Sequence, residues 1–243
     1  MRASPNAYCT NLARWLDNLL KPHIPTHRSV KDSFEFTQCL PQNYRLVSYD
    51  VKSLFTNIPL EETINYICDK VWNFTAPVDK ATLKELLLMA CKNIVFSFDS
   101  KLFVQFDGMC IGSNLGPTIA AFTMHMIEEQ MPKDPIFYTR YVDDVFAIFT
   151  SKEQSDKFCA QINKIHQHIQ ITQENECNNK LTFLDVEIKK ESGCLQTCWN
   201  IKTTNTGLYT PKISCSPQHY KVAALRSLIF RAYKICSNKN LFD

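Results

Sequence analysis

The sequence predicts an α+β fold, an antiparallel sheet backed by helices, and three observations predict it. Apolar residues recur at helical spacing in several segments. Short β-like runs come in pairs joined by tight turn signals, and the two kinds of element do not follow a strict βαβ alternation. The chain has 243 residues, 45% hydrophobic and 21% charged, with 16 Phe and 9 Tyr against only 5 Gly. That balance suits one large domain or two smaller ones with an aromatic core, and it excludes collagen-like, coiled-coil and wholly disordered chains.

The elements can be justified in order. Leu12, Trp15, Leu16, Leu19 and Leu20 repeat at helical spacing until Pro22 and Pro25 stop the pattern, so residues 1–40 read as a helical entry segment. Residues 44–49 read as a strand leading into Asp50. Pro59, in a first-turn position with Glu61 and Glu62, opens a helix whose buried stripe is Leu60, Ile64, Ile67 and Val71. A second helix from Asp79 buries Leu83, Leu86, Leu87 and Ala90. Residues 94–98 and 102–106 are β-like and joined by Asp99-Ser100-Lys101, a hairpin signal. A glycine-punctuated loop over 108–116 leads into a helix beginning near Pro117. Two apolar strands, 137–142 and 145–149, are separated only by Asp143-Asp144. A helix over 153–168, strands near 169–173 and 181–188, and a final helix over 218–236 complete the chain.

The net charge of +3 says little, but its distribution is uneven. No Asp or Glu occurs from Trp199 to Phe242, where Lys202, Lys212, Lys221, Arg226, Arg231, Lys234 and Lys239 all fall. Such a tail either attracts a polyanion or forms a solvated basic face. The longest stretch without charged residues, 108–127, holds three glycines, a proline, an asparagine, two threonines and a histidine. A buried helix preceded by a loop is expected there rather than a membrane span. The 11 cysteines include no CxxC pair, and residues 1–9 carry no apolar leader core, so the cysteines read as reduced, small core residues of an intracellular protein. Cys194, Cys198, Cys215 and His219 offer four zinc-type ligands, but their spacing is wider than the usual structural pair, and zinc is not expected.

The chemistry concentrates in Tyr141-Val142-Asp143-Asp144. Two adjacent carboxylates among β-branched and aromatic residues repel one another unless a cation or proton compensates. Taken alone, the pair reads equally as turn chemistry, which favours Asp. Asp50, at the end of Leu46-Val47-Ser48-Tyr49, shifts the balance: were that strand beside the hairpin, three carboxylates would meet at one sheet edge. An all-oxygen donor set suits Mg²⁺, with Mn²⁺ as a substitute, and two such ions about 4 Å apart serve in-line transfer to a 3′-oxygen.

Asp50 with Phe55, the glycine loop and Tyr141-Val142-Asp143-Asp144 resemble, in order, the three central motifs of reverse transcriptases. The wording from Leu46 through Asp50-Val51-Lys52-Ser53-Leu54-Phe55-Thr56-Asn57-Ile58-Pro59 to Leu60 is closest to Penelope-like retroelements, which are relatives of telomerase. So are Leu181-Thr182-Phe183-Leu184-Asp185-Val186 and the segment from Ser216-Pro217-Gln218-His219-Tyr220-Lys221 to Arg231-Ala232. The resemblance runs over essentially the whole chain.

It implies a right-hand polymerase palm built on an antiparallel sheet, over residues 41–190, with a primer-grip-adjacent segment and basic helical thumb over 191–243 and a helical remnant of the fingers and palm entry over 1–40. It implies Asp50, Asp143 and Asp144 as metal-binding catalytic carboxylates. Phe55 stands at the place of an aromatic steric gate favouring dNTPs over NTPs, although a plain core role is the alternative. Gln105, Gly108, Gly112, Ser113 and Gly116 resemble the motif lining the template and nucleotide side. Ile111, Asn114 and Gly116 stand where the family has Met, Pro and Ser. Lys180 is a candidate general acid for pyrophosphate. Lys221, Arg226 and Arg231 are candidate phosphate contacts to an RNA or DNA template with its primer.

Fingers are expected to precede the point matching Arg2-Ala3-Ser4-Pro5, and a GIY-YIG endonuclease often follows in the family. The chain therefore reads as a palm and thumb portion, its parent element acting in the nucleus. The competing reading is an inactive remnant that only binds nucleic acid.

Overall fold

In the computed structural model, residues 9–38, 45–75, 77–191, 194–202, 204–206 and 210–238 are described. The first nine residues except Cys9, the start of the expected strand at Tyr44, and Lys239 of the basic tail lie outside them. In chain order the elements are α1 (Thr10–Leu20), a 3₁₀ turn (Lys21–His23), α2 (Ser33–Gln38), β1 (Arg45–Val51), α3 (Leu54–Asn57), α4 (Leu60–Thr75), α5 (Lys80–Cys91), β2 (Ile94–Phe98) and β3 (Lys101–Gln105). Then come α6 (Gly116–Gln130), β4 (Phe137–Tyr141), β5 (Asp144–Phe149), α7 (Lys152–Ile165), β6 (Ile171–Asn175), β7 (Lys180–Phe183), β8 (Val186–Glu191), β9 (Cys194–Trp199) and α8 (Gln218–Ile235). They fall into two units. The first takes Met1–Arg28, Asp50–Asp134 and Asp156–Thr172, and the second takes Ser29–Tyr49, Pro135–Ser155 and Gln173–Asp243.

The first unit is mainly helical. α4 packs on α5 and α6, α1 on α5, and α3 on α6. The stripe Leu60, Ile64, Ile67 and Val71 is buried, as its 3.6-residue period requires. α5 starts at Asp79, whose carboxylate accepts from the N–H groups of Ala81 and Thr82 and so satisfies two of the helix's orphan donors. α6 is buried almost all round, including Thr118, Thr123, His125 and Glu128, which marks an internal helix. A hydroxyl–hydroxyl bond of 3.0 Å between Thr63 and Thr123 joins it to α4. The hairpin of β2 and β3 turns on Asp99 and Ser100 alone, at φ 48° and 58°. Two left-handed residues make the primed turn that matches strand twist, so Lys101 joins β3 instead of the turn.

The two larger sheets fall mostly in the second unit. One has the order β4-β5-β1-β6, and the other is the antiparallel β7-β8-β9. β4 and β5 are antiparallel, with Phe137 opposite Ile148 and Tyr141 opposite Asp144. The Phe36 ring lies 4.9 Å from Phe146 and 4.7 Å from Phe183, joining α2 to both sheets in a core with Leu46, Ile148, Val186 and Ile188. α8 packs on β9 and α2. β9 has no counterpart in the sequence reading. Its inward face is Leu195, Thr197 and Trp199, of which only Thr197 is buried while the other two pack against the core, and pairing to β8 completes it.

The α+β class with antiparallel sheets and helices is therefore what the chain adopts. The cysteine reading is corrected: Cys9, Cys68, Cys91 and Cys110 are buried, but Cys177 before β7, Cys194 at the start of β9 and Cys215 in the bend before α8 are exposed at surface positions. Burial drives the Cys91 thiol up to about 12. Among the described residues, no helix is long and apolar enough to cross a membrane.

Candidate active site

The β4–β5 turn differs from the sequence reading in one respect. Asp144 pairs with Tyr141 as the first residue of β5, so the turn residues are Val142 and Asp143 rather than the two aspartates. Val142 sits at φ 55°, a left-handed conformation that costs a β-branched side chain about 1–3 kcal/mol. Arg140, only 3% exposed, donates from Nη1 to the Val142 carbonyl at 3.0 Å, and its own carbonyl accepts from the Val30 N–H at 3.0 Å. A buried guanidinium thus braces the strained turn. Both aspartates are half-buried, behind exposed Tyr141 and Val142. Sequence reasoning missed Arg140, although it is the only basic residue in the strand Phe-Tyr-Thr-Arg-Tyr.

Asp50 lies within β1, exposed between buried Tyr49 and Val51. Its carbonyl accepts from the Thr172 hydroxyl at 3.3 Å. The chain then turns at Ser53, φ 48°, whose carbonyl takes the N–H groups of Thr56 and Asn57 at 3.1 and 3.2 Å. The Asn57 amide donates to the Lys52 carbonyl at 2.9 Å. These bonds wind α3 and present Phe55, half-buried.

The glycine loop closes on this turn. The Met109 N–H donates to the Phe55 carbonyl at 2.6 Å. Gly108, at φ 71°, lies so close that a Cβ would fall 2.4 Å from the Thr56 carbonyl oxygen, and a Cβ at Gly116 would stand 3.4 Å from Phe55 Cε1. Only glycine permits the first approach. Gly112, at φ 94°, and Ser113 form the loop's outer bend, where the Ser113 N–H donates to the Cys110 carbonyl at 3.2 Å and the Gly116 N–H to Ser113 at 3.1 Å. Gln105 turns back on its own strand exit, Nε2 donating to the Asp107 carbonyl at 3.0 Å, while its buried Oε1 has no partner. Phe55, Gly108 and Gly116 are thus brought together, with Gln105 at the entry of the same loop.

The basic residues are differently engaged. Lys221 donates to the carbonyls of Lys212 and Ser214 at 2.6 and 2.7 Å, holding the preceding turn onto α8. Arg231 Nε stands 3.2 Å from Asp185 Oδ2. Arg226 is exposed and lines an open cleft along α8 with Val222, Ile229, Phe230 and Tyr233. Lys180 is exposed at the start of β7, opposite Lys189.

Asp50, Phe55, Gln105, Gly112, Ser113 and Gly116 belong to the first unit, and Asp143, Asp144, Lys180 and α8 to the second. The donor chemistry of the three aspartates, all carboxylate oxygen, fits a hard divalent cation. Among the described residues, no group of three or more His, Cys, Asp or Glu is gathered to hold a metal ion.

A family model described as reverse transcriptase (RNA-dependent DNA polymerase) matches residues 6–208. A search of curated proteins found no match. Solved structures share the fold. Telomerase from Candida albicans, in complex with a TWJ fragment of telomeric RNA, superposes with a TM-score of 0.63 at 11% identity, over 92% of this chain and 42% of that one. Apo telomerase from Candida tropicalis, truncated from its C-terminal domain, gives 0.54 at 16% identity over 79% and 46%. The RNA-dependent RNA polymerase of BmCPV at the elongation state gives 0.56 at 12% identity over 89% and 22%. The chain spans less than half the length of these structures, and at these identities they establish the right-hand polymerase fold alone.

Proposed function

The chain belongs to the reverse transcriptase (RNA-dependent DNA polymerase) family, and from that premise we propose that it is the palm and thumb portion of a Penelope-like retroelement polymerase that adds dNTPs to a primer 3′-hydroxyl on an RNA template. The observation that carries the reading is the strained Val142-Asp143 turn, braced by a buried Arg140, at the one point of the sequence where two aspartates adjoin. Strain of this kind is retained where a side chain must be aimed.

In this reading Asp50, Asp143 and Asp144 hold Mg²⁺, which when bound would lower the pKa of the primer hydroxyl and offset charge on the departing pyrophosphate. Arg140 and the turn hold Asp143 and Asp144 in place without rearrangement. Phe55, backed by Gly116, forms the wall beneath the sugar and excludes a 2′-hydroxyl. Gly112 and Ser113 offer backbone to the nucleotide side, and exposed Lys180 supplies a proton to pyrophosphate. Arg226 contacts duplex phosphate. The Penelope-like assignment rests on the wording of residues 46–60, 181–186 and 216–232.

Primer extension with Mg²⁺ and dNTPs on RNA and DNA templates tests the reading. The native chain should extend the primer and Asp143→Asn should not. If neither folded protein extends a primer it nevertheless binds, the inactive nucleic-acid-binding reading replaces this one.

A further inference from the structure

We infer that Asp185 is a positioning residue: its carboxylate, in the β7–β8 turn, fixes the orientation of α8 through Arg231, which is thereby an internal tether and not a phosphate contact. The turn is tight, with Leu184 at φ 57°, and the Asp185 carbonyl accepts from the Asn200 N–H at 2.8 Å. Its carboxylate serves two helices at once. Oδ1 accepts from the Ser33 hydroxyl at the start of α2, and Oδ2 faces Arg231 Nε on α8 at 3.2 Å.

Oδ2 is buried and has no other partner among the described residues, and the Asp185 side chain is only 22% exposed. A carboxylate so placed needs a cation, because leaving it unpaired forfeits its hydration without return. Arg231 is held from the other side as well, its guanidinium 6.0 Å from the Trp199 ring.

Neighbouring contacts converge on the same half of α8. Phe230 meets Phe34 edge to face at 5.7 Å, the Thr197 hydroxyl donates to the Ile235 carbonyl at 2.6 Å, and the Ser237 N–H donates to the Thr197 carbonyl at 2.9 Å. The helix is anchored at its C-terminal half, and Asp185 is the charged member of that anchor. Arg226, five residues earlier, is exposed and lies outside these contacts. The consequence for duplex binding rests on the function proposed above, whereas the tether itself does not.

Two measurements test it. A thermal-unfolding cycle without nucleic acid compares the native chain, Asp185→Asn, Arg231→Gln and the double variant. The tether requires the double variant to melt no lower than the worse single variant, and strictly additive losses would overturn it. Fluorescence titration with a primer–template duplex over a range of salt then separates the roles. If Arg231 is a tether, both single variants weaken binding by a similar factor, about two- to fivefold, without changing the salt slope. If Arg231 contacts phosphate, Asp185→Asn frees it and tightens binding, while Arg231→Gln weakens binding and lowers the slope by about 1. That outcome, or no change in either variant, refutes the inference. A native chain that binds no duplex would sink the proposed function, and the melting cycle would still decide the tether.

Discussion

Arg140 and Val142 are two residues apart on the β4–β5 hairpin, and the guanidinium of the first holds the carbonyl of the second at 3.0 Å while Val142 occupies a left-handed conformation. The bond and the strain belong together: one fixes the turn that the other would relax. Val142→Gly should therefore raise stability by about 1 kcal/mol, since glycine reaches positive φ without clash and gives back only part of that gain in unfolded-state entropy. Arg140→Met should cost about 1–2 kcal/mol by removing the bond that the buried guanidinium makes to the turn. Urea midpoints measure both, and a less stable glycine variant would contradict the strain.

Gly108 and Gly116 differ in how much they tolerate. A methyl at Gly108 meets backbone at 2.4 Å and needs φ 71°, so Gly108→Ala should lose about 3 kcal/mol. At Gly116 the neighbour is the edge of the Phe55 ring at 3.4 Å, which can yield by a few tenths of an ångström. Gly116→Ala should stay within about 1 kcal/mol of the native chain. On the proposed function it displaces the sugar wall and changes dNTP-over-NTP selectivity, and Phe55→Ala should admit NTPs about tenfold or more readily. Equal selectivity in all three proteins would remove Phe55 from that role.

Much of this was legible in the residues, and the exceptions share a cause. The stripe of α4, the Asp79 cap and the pairing of β2 with β3 follow from local periodicity and turn chemistry, which a sequence displays directly. β9 was missed because its inward face, Leu195, Thr197 and Trp199, is short and mixed, and pairing with β8 is what completes it. The shift of the β4–β5 turn by one residue was invisible too, since a β-branched valine carries no local signal for the left-handed conformation it adopts beside Arg140. Arg231 read as a candidate phosphate contact, and its ion pair was not visible because Asp185 is 46 residues away in sequence, a pairing no local window contains.

Phe36 tests the core of the second unit. It is fully buried against Phe146 and Phe183 and joins α2 to both sheets, so the surroundings cannot collapse into the space it would leave. Phe36→Ala should cost about 4 kcal/mol in chemical denaturation, against a smaller loss for Phe36→Leu. Similar losses for the two would mean that the site repacks.

His125 gives the fold a pH dependence of definite sign. It lies inside α6, with the Tyr66 hydroxyl 2.6 Å from Nδ1, Glu129 at 4.0 Å and the His27 ring 5.5 Å away edge-on. Burial is the largest influence and pushes its pKa below the ordinary 6.5; Glu129 and Glu128 pull it up, and His27 and Lys70 push it down. With the folded value below the unfolded one, the unfolded chain binds more protons between the two. Stability is then fully present above the unfolded pKa and falls as pH drops toward the folded pKa. The urea midpoint should be lower at about pH 5 than at about pH 8, and His125→Gln should flatten that difference. The lowered carboxylates, Glu129 and Glu187 among them, start from 4.5 and add a loss of the same sign only at the acid end of this window, so the part of the slope between about pH 6 and pH 8 is the one that reports histidine. A midpoint that rises on acidification, or one whose slope survives the substitution, would place the responsible proton elsewhere.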